Sequence, residues 1–336
     1  MLAIEDPVQL QNYLLETGRI SAGEQTDFTQ LAGGVSCTTV LVRRQHGADF
    51  VIKQALRRLR VATRWISSPE RSHREAEGIH WLTRLTPDGS IPSLLFEDGE
   101  NHLLAMEAVP SPHDNWKNLL LAGTLVEDHA RQFGALLGSV HANAYRQREE
   151  IEPVFRDCSF FETLRLEAYY EFTRSQVVEA AAFLDKLLAE TRENKITLVH
   201  GDFSPKNVLI RRGRLILLDH ETIHWGDPMF DLGFSLTHFL SKANRDPDNK
   251  AKFARLGLTH WQTYCERVQD SFRFQDCEAR AVRHTLACLL ARVSGRSPLE
   301  YLDTAQQDRQ RECVLRLMSN PPASIPLLIQ SFIADL

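Results

Sequence analysis

Two aspartates and an asparagine lie close together in the stretch 199–221. Asp202 and Asn207 precede an apolar segment, Asp219 follows a second one, and Gly213 lies in the turn between them. The two segments predict a β-hairpin, and counting six positions either way from Gly213 places Asn207 and Asp219 roughly opposite each other. One end of the hairpin would then gather two carboxylates and an amide oxygen. Hard oxygen ligands of this kind suit Mg²⁺, which keeps waters and bridges to phosphate oxygens.

The spacing of these residues also matches a known catalytic loop. An aspartate, four residues, an asparagine, and a second aspartate after a short hairpin is the order found in kinases. With His-Gly-Asp at 200–202, Asn207, and Asp-His-Glu at 219–221, the segment resembles the aminoglycoside phosphotransferase and choline kinase family of small-molecule kinases. Protein kinases carry Arg where Gly201 stands. A surface hairpin with scattered acids is the ordinary alternative.

The resemblance implies an activity, with ATP and Mg²⁺ as cofactors. The γ-phosphoryl group of ATP would pass to a hydroxyl of a small molecule, with Asp202 as the catalytic residue that accepts or orients the hydroxyl proton. Asn207 and Asp219 would hold Mg²⁺, and Glu221 would add a metal contact. Only 12 residues separate Asp219 from Asp231, which is too short for the segment that seats a polypeptide in protein kinases. Asp231 would accept backbone N–H bonds of the catalytic loop.

A lysine and a glutamate nearer the N-terminus fit the same activity. Lys53 shares one face of an apolar strand with Val51. Residues 71–85 have helical periodicity, and Glu75 lies on the inward stripe. Either charge alone could be on the surface, but two inward charges need partners, so we predict that they pair. The resemblance selects Glu75 over Glu77 and implies that Lys53 and Glu75 bind the nucleotide phosphates.

Two further segments are candidates for nucleotide contacts. Gly33 and Gly34 lie between two predicted strands and could bring N–H groups, with the Ser36 hydroxyl, close to phosphates. A plain hairpin turn is the alternative, because the full glycine pattern is absent. The backbone around Glu107 and Ala108 would hold the adenine edge, a role that comes from the resemblance alone.

Composition narrows the class of protein. The chain has 336 residues, 43% of them hydrophobic, and a formal net charge of −5, which argues against a nucleic-acid partner. No apolar run is long enough to span a membrane, and the first residues lack the pattern of a signal peptide. Six dispersed cysteines favour reduced thiols and a cytoplasmic location. The oligomeric state is left open.

The predicted fold class is α+β, a two-lobed protein-kinase-like fold. A small β-rich lobe would cover residues 1–108 and a larger, mainly helical lobe residues 109–336. The helical pattern predicts one long helix over 160–190 and further helices over 232–242, 250–270, 275–293 and 300–318. His141 follows an apolar stripe and is predicted to pack or cap rather than to react.

Three questions remain open at the level of sequence. Lys206 could approach phosphate, whereas Arg292 and Arg296 could face an anionic substrate group or merely complement the end of a helix. The acceptor could be an aminoglycoside, an amino alcohol, homoserine or a sugar, with a neutral sugar or polyol slightly ahead of a polycation. A catalytically silent nucleotide-binding scaffold is the alternative function.

Overall fold

The computed structural model describes residues 2–31, 34–60, 65–272 and 276–336. Its N-terminal part is a five-stranded antiparallel sheet with strand order β1-β2-β3-β5-β4. The strands are β1 Thr26–Gln30, β2 Cys37–Arg44, β3 Phe50–Ala55, β4 Leu94–Asp98 and β5 Leu103–Glu107. This sheet followed by a mostly helical remainder confirms the predicted α+β fold class.

Two helices cover the two faces of this sheet. Helix α1 (Pro7–Glu16), whose N-terminal N–H groups are capped by the Asp6 carboxylate, belongs to a small apolar cluster that includes Ile52. Helix α2 (Arg71–Leu85) packs on the opposite face, where its apolar side chains join the main core. Because side chains alternate along a strand, Lys53 faces α2 while Ile52 faces α1.

Helices dominate the rest of the described chain, and their packing places the catalytic segments. Helix α4 packs along α10, and α9 packs along α11. The helices after α2 are α3 Trp116–Leu121, α4 Glu127–Arg146, α5 Arg148–Phe155, α6 Ser159–Phe161, α7 Phe172–Gln176, α8 Ala181–Glu193, α9 Met229–Arg245, α10 Lys250–Val268, α11 Cys277–Ser294, α12 Thr304–Ser319 and α13 Ile325–Ala334. None of the helices in the described ranges has the length and apolar character needed to cross a membrane.

The prediction of one long helix over 160–190 is wrong. A π-helical segment, Glu162–Glu171, joins α6 to α7, and the chain is extended at Val177 before α8 begins. Val177 and Val178 are adjacent β-branched residues with reduced helix propensity, which accounts for the break. The prediction also omitted α13, although Ser324 caps it and a proline opens it.

The hairpin at the centre of the sequence argument is present. Strands β8 (Val208–Arg211) and β9 (Arg214–Leu217) pair antiparallel, with β6 (Asp114–Asn115) beside β8. Arg212 and Gly213 both have positive φ, 51° and 75°, as a two-residue hairpin turn requires. The turn is therefore centred between these two residues, so Asn207 lies opposite Leu218 and Asp219 follows one position later.

The remaining short strands form the base of the catalytic loop. Strand β7 (Thr197–Val199) pairs antiparallel with β10 (His224–Gly226). Residues 200–207 follow β7, and 218–223 precede β10, so both loops adjoin the same two-stranded platform. This pairing brings Asp202 and Asp219 to the same end of the structure.

Candidate active site

A buried carboxylate holds the backbone of the catalytic loop in place. The Asp231 side chain accepts hydrogen bonds from the N–H groups of His200 at 2.7 Å and Gly201 at 2.8 Å. It therefore has the position predicted for it from the resemblance. His141 Nε2 lies 3.2 Å from Asp231 Oδ2, and its Nδ1 lies 3.0 Å from the Tyr264 hydroxyl. His141 is a packed structural residue, as predicted, although its acid partner is 90 positions away in the chain.

Glycine is required at position 201. Its φ is +79°, in the left-handed region, and a Cβ there would lie 2.7 Å from Thr222 Oγ1. A side chain would therefore strain the backbone and clash at the same time. This requirement explains why the loop carries glycine where protein kinases carry arginine.

Asp202 is held by two neighbours from its own lobe. Asn207 Nδ2 donates to Asp202 Oδ2 at 2.7 Å and to its carbonyl at 3.0 Å. The buried Arg165 guanidinium, from the π-helical segment, lies 3.0 Å from Asp202 Oδ2 and donates to the Gly201 carbonyl at 2.7 Å. Sequence reasoning missed Arg165, and its one signal was a cation between Leu164 and Leu166.

Lys53 lies between two carboxylates. Its Nζ is 2.6 Å from Glu75 Oε1 and 2.7 Å from Asp219 Oδ1. The predicted contact between Lys53 and Glu75 is thus present, and Asp219 joins it. Burial opposes the ammonium charge, but Asp219 and Glu75 outweigh it and raise the pKa of Lys53 well above its ordinary value.

The two carboxylates of this triad differ. Burial raises the pKa of Glu75 to about 7, and the neighbouring Asp219 adds to that effect. Burial also acts on Asp219, yet Lys53, followed by Lys206, holds the pKa of Asp219 below its ordinary value. Asp219 is therefore the carboxylate that stays ionised at neutral pH, as a cation ligand must.

Glu221 has an arginine partner. Its Oε2 lies 2.9 Å from Nε of Arg71, a fully buried guanidinium, and 3.6 Å from Cys37 Sγ. Arg71 also donates to the carbonyls of Ser36 and Leu56, and to those of two residues before α2, Ser67 and Ser68. Glu221 thus joins this network through one oxygen, and its role as a metal contact stays a prediction.

The predicted nucleotide-contact segments are placed as follows. Gly33 lies outside the described residues, and Ser36 is buried, with its carbonyl bound to Arg71. The Glu107 N–H donates to the Ser93 carbonyl at 2.9 Å and the Ala108 N–H to the Asp49 carbonyl at 3.1 Å. Both amides are engaged within the protein, so contacts with an adenine edge stay a prediction.

The residues at the hairpin end have the chemistry of a magnesium site. Asn207 uses its amide nitrogen on Asp202, which leaves the amide oxygen for a cation. In the described part of the chain, that oxygen and Asp219 Oδ2 accept no hydrogen bond from the protein. The same described residues contain no group of three or more His, Cys, Asp or Glu able to hold a metal. A cation here would complete its shell with water and phosphate oxygens, which suits Mg²⁺.

Comparison with known proteins identifies the family of this chain. The model of the phosphotransferase enzyme family matches residues 27–267. The methylthioribose kinase of Klebsiella pneumoniae subsp. pneumoniae is 23% identical over 335 residues, which cover 84% of each chain.

Solved structures share the fold. The amicoumacin kinase hAmiN, in complex with AMP-PNP, Ca²⁺ and Ami, superposes with a TM-score of 0.63 at 15% identity, covering 97% of this chain and 96% of that one. A choline/ethanolamine kinase family protein from Mesorhizobium loti gives 0.54 at 14% identity and covers 99% of both chains.

The family match covers most of the chain, well beyond the hairpin from which the argument started. It confirms the predicted resemblance and the predicted class of enzyme, an ATP-dependent small-molecule kinase. The chain belongs to the phosphotransferase enzyme family.

Proposed function

We propose that this kinase uses Mg²⁺ with ATP and that Asp202, Asn207, Asp219 and Lys53 form its catalytic centre. The observation that carries the proposal is the pair of aspartates at one end of the β7–β10 platform, Asp219 in contact with Lys53 and Asp202 with the buried Arg165. A hydrolytic or purely structural cluster of acids would not require the ion pair between Lys53 and Glu75.

Each side chain has a task that its contacts support. Asp202 accepts or orients the proton of the acceptor hydroxyl, and Asn207 fixes its carboxylate through the bond at 2.7 Å. Lys53, set by Glu75, binds phosphate oxygens of ATP, the donor of the γ-phosphoryl group. Asp219 and the Asn207 amide oxygen hold Mg²⁺, which when bound neutralises phosphate charge. Positioning and neutralisation of this kind do most of the catalysis in a loose transition state.

The class of acceptor follows from the relatives as well as from the site. The matched proteins are named for methylthioribose, choline or ethanolamine, and amicoumacin. These names favour a hydroxylated small molecule over a polypeptide, in agreement with the short interval of 12 positions from Asp219 to Asp231. A silent scaffold would not need five polar side chains in mutual contact. Each of the five contacts another member of the set, and Asp202 also contacts the buried Arg165: Lys53, Glu75, Asp202, Asn207 and Asp219.

Three finer predictions are retained as part of the proposal. The six dispersed cysteines favour a reducing cytoplasm, the acidic net charge favours the absence of a nucleic-acid partner, and the end of β5 at Glu107 supports a lobe boundary near residue 108.

The test measures ADP release from Mg-ATP across alcohols, amino alcohols, sugars and aminoglycosides. We expect acceptor-dependent ADP release, which Asp202→Asn lowers by on the order of 10²-fold or more with little change in nucleotide affinity, because only the proton-accepting group is lost. Asp185→Asn, on the exposed surface of α8, is the matched control. Turnover of Asp202→Asn equal to that of the wild type would contradict the role of Asp202. ATP binding without any stimulating acceptor would favour the silent scaffold.

A further inference from the structure

A second group of charged side chains in the helical lobe is cationic. Lys242, on α9, is only 1% exposed, and its Nζ donates to the His238 carbonyl at 3.3 Å and lies 5.0 Å from the Tyr301 ring centroid. Arg292, on α11, donates to the Tyr169 hydroxyl at 3.0 Å and the Ser297 carbonyl at 2.5 Å. Within the described ranges, no carboxylate lies within 4.0 Å of the charged group of either Lys242 or Arg292.

Positive charge is in excess in this cluster. Burial lowers the pKa of Lys242 to about 7, and the nearby cations Lys117 and Arg292 lower it further. Glu300 acts in the opposite direction, but its carboxylate is bound to Lys117. Burial and the positive charge of Lys242 also hold the pKa of His238 well below its ordinary value. A buried lysine without a counter-charge loses its proton easily, so an anion bound here would stabilise its ammonium form.

Several buried polar atoms around these cations lack a partner. His238 Nε2, Tyr301 Oη and Arg292 Nε are inaccessible to solvent, and no hydrogen bond reaches them from the described residues. Buried polar groups in native proteins are nearly always paired, so an unpaired set in one place indicates a missing partner. Each of these atoms can donate a hydrogen bond, and an oxyanion accepts several.

Contacts connect this cluster to the catalytic aspartate. Arg165, which holds Asp202 at 3.0 Å, lies with its Cζ 5.8 Å from the Tyr169 ring centroid. The Cζ of Arg292 lies 5.7 Å from the same ring. Phe234 packs against Tyr169 and, one turn further along α9, against His238. Arg292 is therefore connected through Tyr169 and Arg165 to Asp202, within the lobe that does not carry Lys53.

A structural alternative accounts for only part of the cluster. Lys242 and Arg292 are both in the last turn of their helices, where a cation complements the helix dipole. That benefit is small and is available to exposed side chains, as Arg245 on the same turn demonstrates. Complementing a helix dipole does not require a lysine that is buried and has no carboxylate partner.

We infer that the acceptor carries an anionic group, a carboxylate or a phosphate, which binds between Lys242 and Arg292 while its hydroxyl faces Asp202. This inference rests on the proposed function and names the substrate class of the same site. It disfavours polycations such as aminoglycosides, which the buried cations would repel, and it revises the preference for a neutral sugar that the sequence alone suggested.

The experiment compares acceptors in matched pairs that differ in charge. ADP release with Mg-ATP is measured for ribose against ribose 5-phosphate, glucose against gluconate, and glycerol against glycerate, with kanamycin as the polycation. We expect the anionic member of at least one pair to give a kcat/KM at least tenfold higher than its neutral partner. Calorimetric titration of the same compounds into Asp202→Asn saturated with Mg-AMP-PNP makes the comparison without turnover.

Two variants test the residues themselves. Lys242→Met and Arg292→Met should each reduce the anion preference at least tenfold through KM, with kcat nearly unchanged, whereas Arg131→Met on the exposed face of α4 should retain it. Lys242→Met fills a similar volume without a buried charge and is expected to fold at least as stably as the wild type.

Equal or reversed preference for the neutral or polycationic compound would overturn the inference and leave the kinase proposal standing. An anion preference that persists unchanged in both variants would also overturn it, because another part of the chain would then recognise the anion. Absence of acceptor-dependent ADP release from every compound would count against the proposed function itself, and the inference would fall with it.

Discussion

Asp219 and Asp202 flank the same site but are held in different ways. Asp219 contacts Lys53 from the sheet of the N-terminal lobe, and that lysine also binds Glu75 on α2. Asp202 contacts Arg165 from within the helical lobe, and this arginine otherwise binds carbonyl oxygens. The proposed nucleotide side of the site is therefore assembled from both lobes, whereas the proposed acceptor side is complete within the helical lobe. A change that separates the lobes should affect nucleotide binding first.

The largest effect is expected on the nucleotide side. Asp219→Ala should abolish Mg-dependent binding of ATP, because the ionised carboxylate that would hold the cation is gone. Lys53→Met should weaken ATP binding by about tenfold or more through the lost charge-assisted contact with phosphate. Calorimetric titration of ATP with Mg²⁺ and with EDTA measures both effects. Mg-dependent binding by Asp219→Ala would remove this residue from the metal site.

A smaller effect is expected on the acceptor side. Arg165→Met should lower kcat by about tenfold without altering ATP affinity, because Asp202 loses the cation that fixes its carboxylate. The matched control is Arg280→Met, which removes a similarly buried arginine from Asp227 at 2.8 Å, outside the site. Both variants should lose stability by up to about 3–5 kcal/mol, since each removes a buried guanidinium from its carboxylate partner.

Stability and activity together separate the two roles of Arg165. Assays are run well below the midpoint of thermal unfolding of both variants. If Arg280→Met lowers kcat as much as Arg165→Met does, the contact with Asp202 has only a structural role.

The smallest effect concerns a histidine pair between the two aspartates. His200 Nδ1 accepts from the Asp202 N–H at 3.2 Å, so its Nε2 carries the proton and donates to His220 Nδ1 at 3.0 Å. Burial holds the pKa of both imidazoles below their ordinary value. The unfolded chain therefore binds more protons than the folded one below about pH 6.5, and stability present above that pH is lost as the pH falls.

The expected loss is up to about 1.4 kcal/mol per pH unit for each such histidine. Denaturant unfolding between pH 5 and 8 measures this slope. His220→Asn, which does not titrate, should flatten it, whereas His113→Asn on the surface should not. A slope unchanged in His220→Asn would mean that other groups set the acid sensitivity.

The two halves of the site also differed in how well sequence predicted them. The fixed periods of a strand and a regular helix make the inward charges of Lys53 and Glu75 recognisable, although the choice of Glu75 over Glu77 comes from the resemblance. Asp202 and Asn207 are predicted from their spacing. Arg165 is missed, because the segment that carries it is π-helical and a period of 3.6 residues assigns its faces wrongly.

The sequence predicts where the site residues lie along the hairpin better than it predicts which side chains contact each other. The hairpin was correct, but its two-residue turn moved Asp219 one position past Asn207. The resemblance assigns Glu221 to the metal, whereas its ion pair with Arg71 depends on a contact between residues 150 positions apart. Such pairings arise from tertiary packing, which no local pattern in the sequence records.

The guanidinium of Arg71 also restrains the separation of the two lobes. It joins carbonyls of the small lobe to Glu221 of the large lobe in a fully buried contact. An opening motion that separated Arg71 from Glu221 would leave two buried charges unpaired, which costs about 3–5 kcal/mol of free energy. We therefore expect relative motion of the two lobes to be smallest at the contact between Arg71 and Glu221.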